Sequence, residues 1–283
     1  MRLKTFAASV LFLVMTACSS APTDLRVTPE EALYTRALGR AHAHNDYEHD
    51  RPLFDALSHG FNSVEADVYE FSGELYVAHD PSGIRPERTL RSLYLDPLRK
   101  HIRANGGKVY RDGTRLTLLI DAKTLAEPTY AALRTILSKY QDVITTFGPG
   151  TQVKRGPVLA VISGNRAQET MAKERVRYAA LDGRLSDLGA STPARLMPLI
   201  SDNWDNTFSW QGEGQMPSAE RQKLRSIVQR AHAKGQRVRF WETPDVAGAA
   251  REAVWLELVT ADVDLISTDD LAGLEAFLRE HDR

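Results

Sequence analysis

Short apolar runs and amphipathic stretches alternate along nearly the whole chain. Leu38 to His44, Asn62 to Val68, Glu74 to His79, Arg115 to Ala122, Pro157 to Ile162, Gln236 to Trp241 and Asp262 to Ser267 each read as a strand. Tyr178 to Leu181 and Arg195 to Ile200 compete for one further strand. Helical spacing fills the intervals at Pro52 to His59, Thr89 to Asn105, Pro128 to Tyr140, Arg166 to Arg175, Ser218 to Lys234, Ala250 to Thr260 and Leu271 to Glu280. In the helix from Ser218, the residues Leu224, Ile227, Val228 and Ala231 fall on one face, and Gly235 supplies the stop. Strand and helix in alternation predict a parallel α/β sheet covered by helices. A count near eight predicts a closed (β/α)8 TIM-type barrel in a single domain.

Composition narrows the partners. Among 283 residues, 36 Lys and Arg meet 37 Asp and Glu, so the basic excess of a nucleic-acid-binding surface is missing. Arg2 and Lys4 precede an apolar run from Phe6 to Val14, too short to span a bilayer, and Met15-Thr16-Ala17-Cys18 follows. Small residues before the sole cysteine resemble a bacterial lipobox. The expectation is a signal peptide over 1–17, a lipidated tether over 18–28 anchored through Cys18, and the barrel over 29–283. An exported bacterial lipoprotein on the outer membrane, held there by its lipid, would follow.

The chemistry is concentrated at the strand ends. A period of two puts Glu65 and Asp67 on one face of their strand, with Val64, Ala66 and Val68 on the other, toward the helices. Two carboxylates inside a barrel repel unless a cation intervenes, and all-oxygen donors suit a hard divalent metal, Mg²⁺ or Ca²⁺. Asp121 closes an apolar strand, as a third metal ligand or as a helix N-cap. Lys123 either balances a phosphate oxygen or pairs with Asp121. His42 and His44 share a face of the first strand, and His79 ends the third. Imidazoles on either side of a phosphorus centre can act as base and acid for P–O cleavage. Trp241 ends its strand as a contact for the organic part of a substrate or as a packing residue. Asp202 to Asn206 reads as a polar loop at the same mouth, and His101, His232 and His281 read as surface histidines.

The segments His42-Ala43-His44-Asn45-Asp46-Tyr47, Phe61 to Val68, Val77-Ala78-His79-Asp80-Pro81, Leu118 to Lys123 and Asp264 to Asp269 resemble the PI-PLC-like phosphodiesterase superfamily. That group includes glycerophosphodiester phosphodiesterases, phosphatidylinositol phospholipases C and sphingomyelinases D. The start His-x-His-Asn-Asp-Tyr is most similar to the branch related to the altered-inheritance-of-mitochondria protein. The resemblance implies Glu65, Asp67 and Asp121 as metal ligands and His79 as the second catalytic histidine. The first is His42 or His44, with His44 favoured because Asn45 then falls where glycerophosphodiesterases carry a phosphate-binding arginine. Two departures stand out. The glycerophosphodiesterase Pro-Glu-Asn ligand is replaced by His49-Asp50-Arg51, and Asp121-Ala122-Lys123 is closer to the sphingomyelinase D pattern. The implied activity is metal-dependent hydrolysis of a small or lipid phosphodiester. A zinc amidohydrolase shares the His-x-His entry but needs histidines after strands five and six. A non-catalytic, anion-binding surface lipoprotein is the other rival.

Overall fold

The structure is a computed structural model and describes residues 37–282. The signal peptide, the tether and the lipidation site Cys18 lie outside the described residues. Eight parallel strands form the barrel. They are β1 (Leu38–Ala43), β2 (Phe61–Phe71), β4 (Leu116–Ala122), β5 (Val158–Gly164), β6 (Ala180–Gly183), β7 (Leu199–Asn203), β8 (Arg237–Trp241) and β9 (Leu265–Thr268). β1 closes the ring, pairing with β2 on one side (Ala43 beside Val64) and with β9 on the other (His42 beside Ser267). A further strand, β3 (Glu74–Val77), lies outside the ring and runs antiparallel to β2.

The two faces of the strands have different company. Outward residues such as Val64, Ala66, Val68, Leu118, Ile120, Ile162 and Ile266 join the large apolar layer under the helices. Inward, Leu119, Val161, Leu199 and Leu265 form a separate small cluster that plugs the barrel, with Leu159 packed against it. Inward positions nearer the C-terminal ends of the strands are polar: Glu65, Asp67, Ser163, Asp182, Ser201, Arg239 and Ser267 are all buried. The main outer helices are α2 (Asp96–Ala104), α3 (Ala126–Leu137), α6 (Ser218–His232), α7 (Ala249–Thr260) and α8 (Leu271–His281). Shorter helices are α1 (Phe54–Ser58), α4 (Gln168–Lys173) and α5 (Trp204–Thr207). As expected, α6 buries Leu224, Ile227, Val228 and Ala231. Among the described residues no helix is long and apolar enough to cross a membrane.

Four expectations change in detail. The run Glu74 to His79 is no barrel strand: Ser72 (φ 53) and Gly73 (φ 83) make a tight turn that folds it back on β2. Both competing runs near residue 180 and residue 199 form strands, so the barrel still has eight. The stretch Asp202 to Asn206 is the end of β7 followed by α5, whose helix is capped by Asn203. Trp204 turns into the apolar layer against Phe208 and Phe240, with ring centroids 4.2 and 5.6 Å away. His101 is likewise buried, with Nε2 2.8 Å from the Val109 carbonyl.

Candidate active site

β2 and β4 pair in register with Asp67 directly beside Asp121. Glu65, two residues before Asp67, shares its inward face. The three carboxylates bring ligand oxygens within 4.8 Å of one another. Oxygens bound to one hard cation at about 2.1–2.5 Å stand up to about 5 Å apart, so the spacing suits one ion. Their surroundings suit it as well. Lys123 Nζ lies 3.0 Å from Asp67 Oδ2 and 3.4 Å from Asp121 Oδ2. Arg239, buried on β8, donates from Nη2 to Glu65 Oε2 at 3.2 Å and from Nε to Ser267 Oγ at 2.9 Å. Two cations therefore face three carboxylates, and a negative charge is left over.

That imbalance is visible in the acidities. Burial opposes ionisation of Glu65, but Arg239, with His42 and His44, overrides it and holds the carboxyl well below its usual range. Asp67 goes the other way. Burial and the Glu65 charge push it up to about 6, against the pull of Lys123 and the Tyr47 hydroxyl. A divalent ion at this point would relieve Asp67 and fits the donor set. Lys123 is kept protonated because Asp121 and Asp67 outweigh the burial that opposes its charge.

The histidines divide. His42, at the base of the site, is fully buried. Its Nδ1 is 2.7 Å from Ser63 Oγ, while Nε2 stands 3.5 Å from Glu65 and makes no hydrogen bond. Burial and the Arg239 charge lower its pKa to about 4, so the ring is neutral at physiological pH. His44 sits just beyond β1 and reaches solvent. Its Nδ1 is 2.8 Å from Asp269 Oδ1, and its Nε2 is 3.9 Å from Glu65 Oε2. Burial lowers its pKa, but the Asp269 bond and the Glu65 charge more than compensate and raise it.

His79 reaches the site from the β2–β3 hairpin. Tyr69 donates its hydroxyl to the His79 carbonyl at 3.1 Å, and the Ala78 N–H reaches the Asp67 carbonyl at 3.3 Å. The His79 ring is linked to the carboxylates by a residue that sequence reasoning missed. The Tyr47 hydroxyl lies 2.7 Å from Asp67 Oδ2, 2.8 Å from Asn45 Oδ1 and 3.2 Å from His79 Nδ1. It has one proton to give, and the carboxylate is the strongest acceptor. Asn45 takes a left-handed conformation (φ 47), which turns the chain so that its amide sits 3.1 Å from His44 Nδ1. Asp269, His44, Asn45, Tyr47 and His79 thus form one polar chain around the acidic cluster.

Trp241 is on the inward face of β8, two residues after Arg239, and partly exposed at the mouth. Beside His79 opens a cavity of about 730 Å³, lined by Tyr47, Glu48, Asp80, Arg85 and Arg88 among others. Arg239 is the second residue the sequence reading missed. The alternation Arg237-Val238-Arg239-Phe240 in a barrel strand held the signal, since one of its faces must carry the charge inward.

Residues 37–182 match the family described as the AIM6-like phosphodiesterase domain. The chain belongs to this family. Its similarity to curated relatives extends further along the chain than that domain. It is 28% identical to an altered inheritance of mitochondria protein 6 homolog of Arthroderma benhamiae, over 83% of this chain and 82% of that one. To altered inheritance of mitochondria protein 6 of Eremothecium gossypii it is 31% identical, over 85% of this chain and 69% of that one. A glycerophosphoryl diester phosphodiesterase from Parabacteroides distasonis superposes with a TM-score of 0.48 at 10% identity, over 89% of this chain and 90% of that one. The relatives correct one expectation. They are proteins of fungi, which have no bacterial outer membrane, so the placement inferred from Met15-Thr16-Ala17-Cys18 is withdrawn.

Proposed function

We propose that this AIM6-like phosphodiesterase domain protein is a metal-dependent phosphoric diester hydrolase for a small, polar glycerophosphodiester or phospholipid-headgroup-type substrate. The convergence of Glu65, Asp67 and Asp121 within the reach of one ion, with Lys123 and two histidines around them, carries the reading. Glu65, Asp67 and Asp121 would hold Mg²⁺ or Ca²⁺, which supplies a Lewis acid for the phosphoryl oxygens. Lys123 adds a fixed positive charge where a non-bridging oxygen gathers electron density.

Proton transfer falls to His44 and His79. Asp269 fixes the His44 ring through Nδ1 and leaves Nε2 for the substrate. Tyr47 does the same for His79, whose Nδ1 faces the hydroxyl. One imidazole removes the proton from the nucleophile, either water or a neighbouring substrate hydroxyl, and the other protonates the leaving alkoxide. His42 is assigned the supporting role. It has no access to solvent and lies below Glu65, level with Ser63, whereas His44 follows the end of the adjoining strand β1 and reaches solvent. Asn45 and Trp241 would meet the phosphate and the organic group. The charged lining of the cavity beside His79 favours a polar headgroup over an acyl chain.

The zinc amidohydrolase reading receives no support from the strand ends it requires. β5 runs out in Gly164-Asn165 and β6 in Gly183-Arg184. The test is turnover of bis-p-nitrophenyl phosphate by metal-loaded protein. H79A is expected to lower kcat by about 10²-fold or more, and a chelator to abolish turnover until Mg²⁺ or Ca²⁺ is restored. Undiminished H79A activity, or binding of diesters without turnover, would reject the proposal. Running the reaction in ¹⁸O-water on a glycerophosphodiester, which has a hydroxyl beside the ester, separates direct hydrolysis from internal attack, which releases a cyclic phosphate free of the label.

A further inference from the structure

A second cavity, of about 550 Å³, opens at the opposite end of the barrel. Arg115 precedes β4, Arg155 precedes β5, Arg195 precedes β7 and Arg237 opens β8, so all four stand at the N-terminal ends of strands. All four line this cavity, and no Asp or Glu lines it. The plug of Leu119, Val161, Leu199 and Leu265 separates it from the carboxylates, and Leu159, which packs on the plug, forms part of its lining.

The N-terminal face of such a barrel ordinarily serves stability, and stability gives no reason to gather cations there. Arg237 lies deepest and donates from Nη2 to Thr117 Oγ1 at 3.0 Å. Burial, then the charge of Arg115, weakens its hold on its proton, and Asp264 and Asp182 only partly offset them. The Asp264 carboxylate is already engaged by the Val238 N–H and the His232 ring, both at 2.8 Å. Among the described residues, the guanidinium groups of Arg115, Arg155 and Arg195 have no hydrogen bond or ion pair, although ion pairs are plentiful elsewhere on the surface. Asn62 supplies an independent sign. It lines the cavity and is 9% exposed, and it spends its amide N–H on the Gly39 carbonyl. Its Oδ1 is buried without a partner, an acceptor in want of a hydroxyl or N–H.

We propose that the four arginines at the N-terminal face of the barrel form a binding site for a multiply charged phosphate-bearing anion, distinct from the acidic site at the other end. Guanidinium groups that line one cavity from separate strands suit the tetrahedral oxygens of a phosphate, and the concave floor admits a compact group. The same chemistry is offered by a soluble phosphate ester and by a phosphomonoester lipid headgroup.

The test uses the full chain with excess chelator, which excludes metal-mediated binding at the acidic end. Binding of tripolyphosphate is measured by titration calorimetry, and binding of phosphatidylcholine vesicles with and without phosphatidic acid by co-sedimentation. The surface variant R115Q/R155Q/R195Q is expected to weaken binding at least tenfold and to leave bis-p-nitrophenyl phosphate turnover unchanged. H79A is expected to do the reverse. Retention of tripolyphosphate alone assigns the site to soluble anions, and retention of the phosphatidic acid vesicles alone assigns it to headgroups. Binding that persists in the triple arginine variant, or wild-type protein that binds neither probe, would overturn the proposal.

Discussion

Two residues set tight limits on substitution around the carboxylates. Gly164 ends β5 with φ +65, and a Cβ built there would stand 2.0 Å from Asp121 Oδ1 and 2.6 Å from the Ala122 carbonyl. G164A must therefore displace the Asp121 carboxylate from its position beside Asp67. The expected outcome is a roughly 10- to 100-fold loss of metal affinity, read from activity titrated against Mg²⁺ or Ca²⁺. An unchanged titration in a folded variant would contradict it. Arg239 is the other. Removing a buried partner strands the Glu65 charge, so R239M is expected to cost about 3–5 kcal/mol of stability in metal-free protein. Adding E65Q to R239M should recover part of that loss in urea midpoints. The Glu65 and Asp67 pair was legible because alternation alone assigns them one face. Tyr47 was not, because it lies in a single turn after the left-handed Asn45, where no period applies.

At the scale of elements, the β2–β3 hairpin is the part that brings His79 to the carboxylates. Its turn depends on Gly73, whose φ of 83 excludes β-branched residues even though a Cβ would meet nothing within 4 Å. G73V is expected to cost roughly 1–2 kcal/mol through backbone strain and to lower kcat beyond what that stability loss explains. Equal kcat in variant and wild type at a temperature where both are folded would show that the hairpin does not position His79. This element also marks a limit of sequence reasoning. Alternation in Glu74 to His79 identifies a strand but not the direction of its neighbour, so a hairpin arm was counted as a barrel strand. The compensating error was to read β6 and β7 as rivals for a single strand. They have only four and five residues and carry Asp182 and Asp202, which dilute the apolar signal, although both strands are needed to close the ring. The helices gave a clearer pattern, since α6 and α8 each bury a stripe of one face.

For the molecule as a whole, Asp46 links stability to pH. Its carboxyl is fully buried between the Leu53 N–H and the Tyr94 hydroxyl, and burial raises its pKa from 3.8 to about 7. A carboxyl more easily protonated in the fold than in the unfolded chain favours the fold most below about pH 4. That contribution is lost as pH rises through about 7, at roughly 1.4 kcal/mol per unit between the two values. D46N keeps an oxygen for both donors and carries no charge. It is expected to flatten the loss of stability between pH 5 and pH 8 in urea unfolding, and a parallel pH profile in the two proteins would refute the assignment. The inner plug has a consequence for turnover. Leu119, Val161, Leu199 and Leu265 leave no passage along the barrel axis. The alcohol and the phosphorylated fragment must then depart by the same doorway through which the diester arrived, so whichever fragment lingers there delays the next round, and each is expected to inhibit by blocking entry.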